Sequence, residues 1–230
     1  MDIFTPDNVT FMLGGFGKTL IVSFFAIIFS IIIGTILAMV KQYCKGPLKP
    51  LSLIVSAYIE LFRCTPNLLW ILFIYFTVKG NDIVISVLAF TIFTSAVMAE
   101  IVRGGFNSIA KGQFEAARSQ GFGFFQTMAY VILPQTFKII LPPMCNQALN
   151  LVKNTSVLAM IAGGDLMYNA DNFVSTYGYL QGYIMACVLY FIICFPLALL
   201  VQWLEKRSKE RPRAKSIPGI TDAADLAKEA

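Results

Sequence analysis

Residues Ile21–Val40 run for twenty positions without a charged side chain. Coiled as an α-helix at about 1.5 Å per residue, such a run reaches the roughly 30 Å of a bilayer's hydrocarbon core. No water is available there to satisfy backbone N–H and C=O groups, so a membrane helix is the conformation it can adopt. Comparable apolar runs follow in the second, third and last quarters, and only 13% of the 230 residues are charged. A soluble domain carries about 25%. The chain therefore reads as an all-α integral membrane protein. Its first run is not read as a cleaved signal peptide. The leader, MDIFTPDN, is acidic, the run exceeds the usual apolar region of about 7–15 residues, and no small-residue cleavage site interrupts it.

Five membrane-spanning helices are expected, over about residues 15–40, 51–78, 83–103, 139–161 and 183–204. Gly46, Pro47 and Pro50 mark the first turn, and Gly80–Asn81–Asp82 a short second one. The fourth segment opens with Leu-Pro-Pro-Met and carries Lys153, Asn154, Thr155 and Ser156, so a short, kinked or locally unwound helix is expected. Residues 1–210 then form one transmembrane domain, interrupted by a polar segment at 104–136. The proline-broken residues 211–230 form a disordered tail, whose basic charge reads as a topology anchor rather than a lipid-binding patch.

Lysine and arginine placement sets the orientation. One set of compartments holds Lys41, Lys45 and Lys49, then Arg103, Lys111, Arg118 and Lys138, then seven more from Lys206 to Lys228. The opposite set holds Lys18 and Lys79. Fourteen against two puts the N-terminus outside, with segment 104–136 and the C-terminus in the cytoplasm.

Five cysteines without paired spacing and no histidine argue against a zinc site, a histidine-based triad and a disulfide framework. GGFGKT at 14–19 looks at first like a phosphate-binding loop. The first glycine of that pattern would fall at Met12, however, and no strand can precede a membrane helix. It reads as an interfacial glycine cluster with a snorkelling Lys18, and the chain has no visible means of hydrolysing nucleotide itself.

Segment 104–136 has its own architecture. KGQFEAARSQ is rich in helix formers and ends on Gly121, a natural glycine stop. Beyond it, Phe124, Met128 and Val131 or Ile132 recur at helical spacing, and Pro134 closes the run. Two short surface helices joined by a glycine bend are expected. Glu115 and Arg118 face the cytoplasm, the aromatic stripe packs inward, and Ala116 and Ala117 leave room for another protein. Spacing alone allows an ordinary interfacial anchor equally well.

Glu115-Ala116-Ala117, three residues, Gly121, nine residues, then Val131-x-Leu133-Pro134 resembles the EAA signature of permease subunits of binding-protein-dependent ABC importers. The family usually has isoleucine at Val131. YIELFRCTPNLLW (58–70), AEIVRGGFNSIAKGQFEAARSQG (99–121), VILPQTFKIILPPMCNQ (131–147) and LVKNTSVL (151–158) also resemble its polar-amino-acid branch. The resemblance covers roughly residues 10–205. It implies the type I importer permease fold with a cytoplasmic coupling helix in a bacterial cell membrane. It also implies a second permease chain, identical or paralogous, a cytoplasmic ATPase dimer that binds ATP and Mg, and an external substrate-binding protein. The chain itself then carries no cofactor, binds no nucleic acid and performs no chemistry. By the same carry-over, Gly112, Gln113, Glu115, Ala116, Ala117, Arg118, Gly121, Leu133 and Pro134 form the ATPase-coupling element.

Charge inside a membrane is expensive and marks function by default. Glu60 and Arg63, and likewise Glu100 and Arg103, lie three apart on one helix, so each pair can neutralise itself. Lys153 has no charged neighbour in sequence and follows Asn146 and Asn150, four apart on one helix face. Glu60, Arg63, Lys153, Asn154, Thr155 and Ser156 are the candidate lining of a substrate path, with helix packing as the alternative. The family often has an acidic residue at Asn154. Its absence disfavours a cationic substrate and points to a neutral or acidic amino acid such as glutamine or glutamate. Cys64 and Asn67 replace a usual glycine and a usual aliphatic residue, so packing of the second segment is expected to differ. A stand-alone secondary transporter or channel is the other reading; five segments and no internal repeat count against it. An intramembrane enzyme would need a nucleophile–base arrangement that the sequence does not present.

Overall fold

The computed structural model describes residues 5–44, 46–161, 163–178 and 180–209; the tail expected at 211–230 lies outside them. α1 (Pro6–Tyr43) begins well before the apolar run because Thr5 caps it, its hydroxyl accepting from Asn8 N at 3.3 Å. Pro6 takes a first-turn position where no N–H is needed. α4 (Asp82–Asn107), capped by Asn81, packs along α1 and runs parallel to it: Ser30 meets Thr91, Lys41 meets Glu100 and Gln42 meets Asn107. Small residues let the two backbones approach. Ala26, Ser30, Gly34 and Ala38 are buried at four-residue intervals along α1.

A Cβ on Gly34 would lie 2.6 Å from Met98 Cβ and 2.9 Å from the Ser95 carbonyl. Gly34→Leu should therefore destabilise the fold by about 1–3 kcal/mol by overpacking, seen as a lower thermal midpoint of the detergent-extracted protein. An unchanged midpoint would mean that the α1–α4 contact is looser than described.

The second segment, expected as one helix over 51–78, is two. α2 (Lys49–Cys64) and α3 (Asn67–Thr77) meet at a 108° bend. Pro66 forces Thr65 into extended backbone (ψ 148°), as the residue before a proline prefers, and restarts the helix. Since α1 and α4 are parallel, this bent pair must return the chain from the end of one to the start of the other. Among the described residues, four helical stretches are long and apolar enough to cross a membrane, or five when the bent pair is counted as one span.

α5 (Lys111–Ser119) follows, and then a correction to the expected second surface helix. Pro134 does not close that run. A one-turn α6 (Phe124–Gln126) widens into π-helix at Thr127–Ile132 and continues as α7 (Leu133–Asn154). The proline ring would clash with the carbonyl four residues earlier; the wider turn, in which Leu133 N reaches back to Met128 O, relieves that clash. At its far end α7 tightens to a 3₁₀ turn over Thr155–Ile161, within the stretch read as locally unwound.

α8 (Leu166–Tyr177) lies between the fourth and fifth expected spans, in a stretch to which no element was assigned. Both of its ends are marked. The Asp165 carboxylate accepts from Met167 N and Tyr168 N, and Gly178 stops the helix in the left-handed region at φ +71°. α8 sits against the start of α1, where Leu166 N donates to Thr19 Oγ1 at 3.1 Å and Asn169 Nδ2 to the Phe11 carbonyl at 2.6 Å. The GGFGKT stretch is helical within α1. Gly15 makes room for Asn169, and Lys18 lies over Gly164. α9 (Gln181–Lys209) closes the fold, packing on α7 and α8 with most of its surface exposed.

Asp165 is fully buried, and burial pushes its carboxyl from 3.8 up to about 6, against the pull of its two backbone donors. A raised folded-state value favours the protonated form, so its stabilising contribution is complete below pH 4 and lost as pH rises through about 6. Asp165→Asn keeps one accepting oxygen for the cap and removes the titration. The variant should exceed wild type by about 3 kcal/mol above pH 6 and converge with it near pH 4. A stability difference independent of pH would contradict this.

Candidate functional site

The surface helix α5 is held from one side only. Phe114 packs into a core cluster with Val55, Ile59, Met98, Val102 and Phe106, which Met128, Val131 and Ile132 of the π-helical turn and Ile140 of α7 complete. Ala117 is buried and its carbonyl accepts from Phe122 N, so it faces this chain rather than offering room to another, as had been expected. Gly112, Gln113, Glu115, Ala116 and Arg118 are exposed. Gln113 is tied back through its side chain, which accepts from Gln135 Nε2 at 3.1 Å. Gly121 turns the chain at φ +81°, a conformation that side chains disfavour, and its N–H closes the bend on the Arg118 carbonyl. Leu133 and Pro134 are exposed but belong to the continuous helix beyond the bend. The result is a short helix seated on the π-helical turn, with Phe114 reaching into the core cluster and one free face.

The membrane-embedded candidates fall into two groups. Lys153 and Ser156 line a cavity of about 350 Å³ with Met167, Tyr183, Cys187 and Tyr190, between α7, α8 and α9. Thr155 is turned away and buried, its hydroxyl donating to the Val152 carbonyl at 2.7 Å, while Asn154 is half-buried beside it. Ser156 Oγ likewise donates to the Lys153 carbonyl at 2.9 Å. These three-residue back-bonds favour the tighter helix that begins there. Tyr183 and Tyr190 on α9 could not be assigned to this cavity from the sequence, since nothing local ties them to Lys153.

Glu60 and Arg63 lie elsewhere, and they are not a self-contained pair. Glu100 on α4 accepts from Lys41 Nζ of α1 at 2.9 Å and from Arg103 Nη2 at 2.7 Å, with Arg63 Nη1 of α2 at 3.6 Å. Glu60 sits 3.6 Å from Lys41 and 3.8 Å from Arg63. Five charged side chains from three helices thus share one network, with the mostly buried Glu100 at its centre. Sequence spacing found the two three-residue pairs; it could not bring Lys41 to them, because that contact spans 59 positions.

A family model described as binding-protein-dependent transport system inner membrane component matches residues 30–210. The chain is 41% identical over 207 residues to the probable glutamine ABC transporter permease protein GlnM of Bacillus subtilis (strain 168), covering 87% of this chain and 94% of that one. It is 35% identical over 213 residues to the probable glutamine ABC transporter permease protein GlnP of the same strain, covering 89% and 96%. Its structure superposes with a TM-score of 0.78 on a chain of an amino acid ABC transporter crystallised with histidines, at 34% identity, covering 86% and 94%.

Proposed function

The chain belongs to the family of binding-protein-dependent transport system inner membrane components, with the type I ABC importer permease fold, and from that premise we propose that it imports a polar amino acid. The similar permeases named for glutamine, and the amide of Asn154 in the embedded segment, favour glutamine or glutamate as the cargo. The excess of basic residues at one set of ends supports an outward N-terminus and a cytoplasmic α5 and C-terminus in a bacterial cell membrane.

The observation that carries the reading is the mounting of α5. Its free face, Gly112, Glu115, Ala116 and Arg118, is the docking surface for one subunit of a cytoplasmic ATPase dimer, where ATP and Mg are bound. When those subunits close, α5 moves as a rigid body. Phe114 passes the displacement to Met128, Val131 and Ile132, and these to Val55 and Ile59 on α2 and Val102 on α4. Two such chains, identical or paralogous, would enclose the path, and an external binding protein would load it. Lys153, Asn154 and Ser156 supply polar lining at the tightened end of α7. Glu60 and Arg63, with Lys41, Glu100 and Arg103, hold α1, α2 and α4 together where α2 meets its bend.

Two measurements check this. Affinity purification from bacterial membranes should recover the ATPase, identified by mass, and recovery of the chain without it would contradict the docking role. In proteoliposomes loaded with the full assembly, Lys153→Ala and Asn154→Leu should each change the KM for glutamine uptake. Unaltered kinetics in both would remove these residues from the path.

A further inference from the structure

A second cavity, of about 440 Å³, opens between α1, α4 and the start of α7. Its walls are apolar, contributed by residues such as Phe106, Phe137 and Met144, with three polar exceptions. The Thr35 hydroxyl donates to the Ile31 carbonyl at 2.7 Å. Thr136 Oγ1 is buried, only 1% of the residue being accessible, and has no hydrogen-bond partner among the described residues. Lys138 stands exposed at the rim and has no acidic partner among the described residues.

We infer that this cavity is a site for one anionic phospholipid, with an acyl chain inside and the phosphate against Lys138. Three features select that occupant. The lining offers no carboxylate to an amino-acid ammonium group, so the transported cargo would be left unpaired there. Two of the lining residues, Leu133 and Phe137, are also exposed apolar surface, and Tyr130 in the turn before them is exposed as well, a surface that belongs in hydrocarbon or its boundary. The cavity also lies at the same end of the bundle as Lys41, Arg103, Lys111 and Arg118. That is the end where anionic headgroups of the cytoplasmic leaflet attract cations. The site shares Val102, Phe106 and Ile140 with the cluster that seats Phe114, but it includes no residue of α5 or of the Lys153 cavity, so an empty site would leave the transport reading standing.

The test is native mass spectrometry of the permease purified with its ATPase from membranes containing phosphatidylglycerol and phosphatidylethanolamine. Wild type should retain phosphatidylglycerol preferentially. Lys138→Gln, a surface change that leaves the fold alone, should reduce that preference about fivefold, the worth of one lysine at an anionic surface. Lys138→Arg should restore it, and Thr35→Phe, which fills the cavity from α1, should abolish retention of either lipid. Equal retention of both lipids by wild type, or unchanged retention in Lys138→Gln and Thr35→Phe, would overturn the proposal. So would a change in permease–permease association in Thr35→Phe with lipid retention unaltered, since the cavity mouth would then be covered by a second chain.

Discussion

Glu115→Lys should leave the permease folded, inserted and as abundant as wild type while reducing ATP-driven uptake about thirtyfold or more. The separation of those two effects follows from where the side chain points. Glu115 is exposed on the free face of α5, and its carboxylate makes no hydrogen bond or ion pair within the described chain. Its backbone carbonyl accepts from Ser119 Oγ at 3.0 Å. Exposed positions of that kind change stability by about 0.5 kcal/mol or less. A charge reversal at the centre of a small docking helix is a different matter, costing about 2 kcal/mol or more of the interface. Ala117→Leu is the counterpart. It is buried against the bundle, so its first effect should be on the thermal midpoint. Normal transport by Glu115→Lys with the ATPase still bound would remove α5 from the coupling role.

Glu100→Gln should be the most damaging single change in the membrane-facing bundle, at about 3 kcal/mol. The carboxylate neutralises Lys41 and Arg103 directly and Arg63 at longer range. Without it, three cations on α1, α2 and α4 face one acidic partner, Glu60, which is more than half exposed. Removing one member of a buried pair leaves an uncompensated charge, and this is where the loss arises. The double variant Lys41→Met with Glu100→Gln should recover part of it, because one orphaned cation goes as well. Thermal unfolding of the purified assembly reads both. A Glu100→Gln midpoint equal to wild type would mean that water, not Glu100, is what the three cations use.

Much of this molecule is visible in its local chemistry. Apolar length finds the crossings, and the Lys153–Ser156 polar stretch marks where α7 tightens. The misses have identifiable causes. Thr65–Pro66 is a strong helix breaker, yet it sits in a run apolar enough to pass for one span. Pro134 looks like a terminator, but a π-helical turn absorbs it and keeps the helix going into α7. α8 carries an aspartate cap and a glycine stop, and escapes notice only because it is too short to span. Ala117 and Ala116 are neighbours of one chemistry; only the packing of Phe114 beneath the helix decides which of them faces inward. The Lys41–Glu100 contact and the Tyr183–Lys153 cavity join positions far apart in sequence, and local periodicity carries no information on such pairs.

The central claim is that this chain moves cargo only when α5 is driven from outside it. Proteoliposomes that contain the permease alone, or the permease with its ATPase and a glutamine-loaded binding protein, test that claim directly. Glutamine accumulation is expected only with all components and ATP present, and none with the permease by itself. Glutamine flux through the isolated chain, without ATP or partners, would contradict the account and identify a stand-alone transporter.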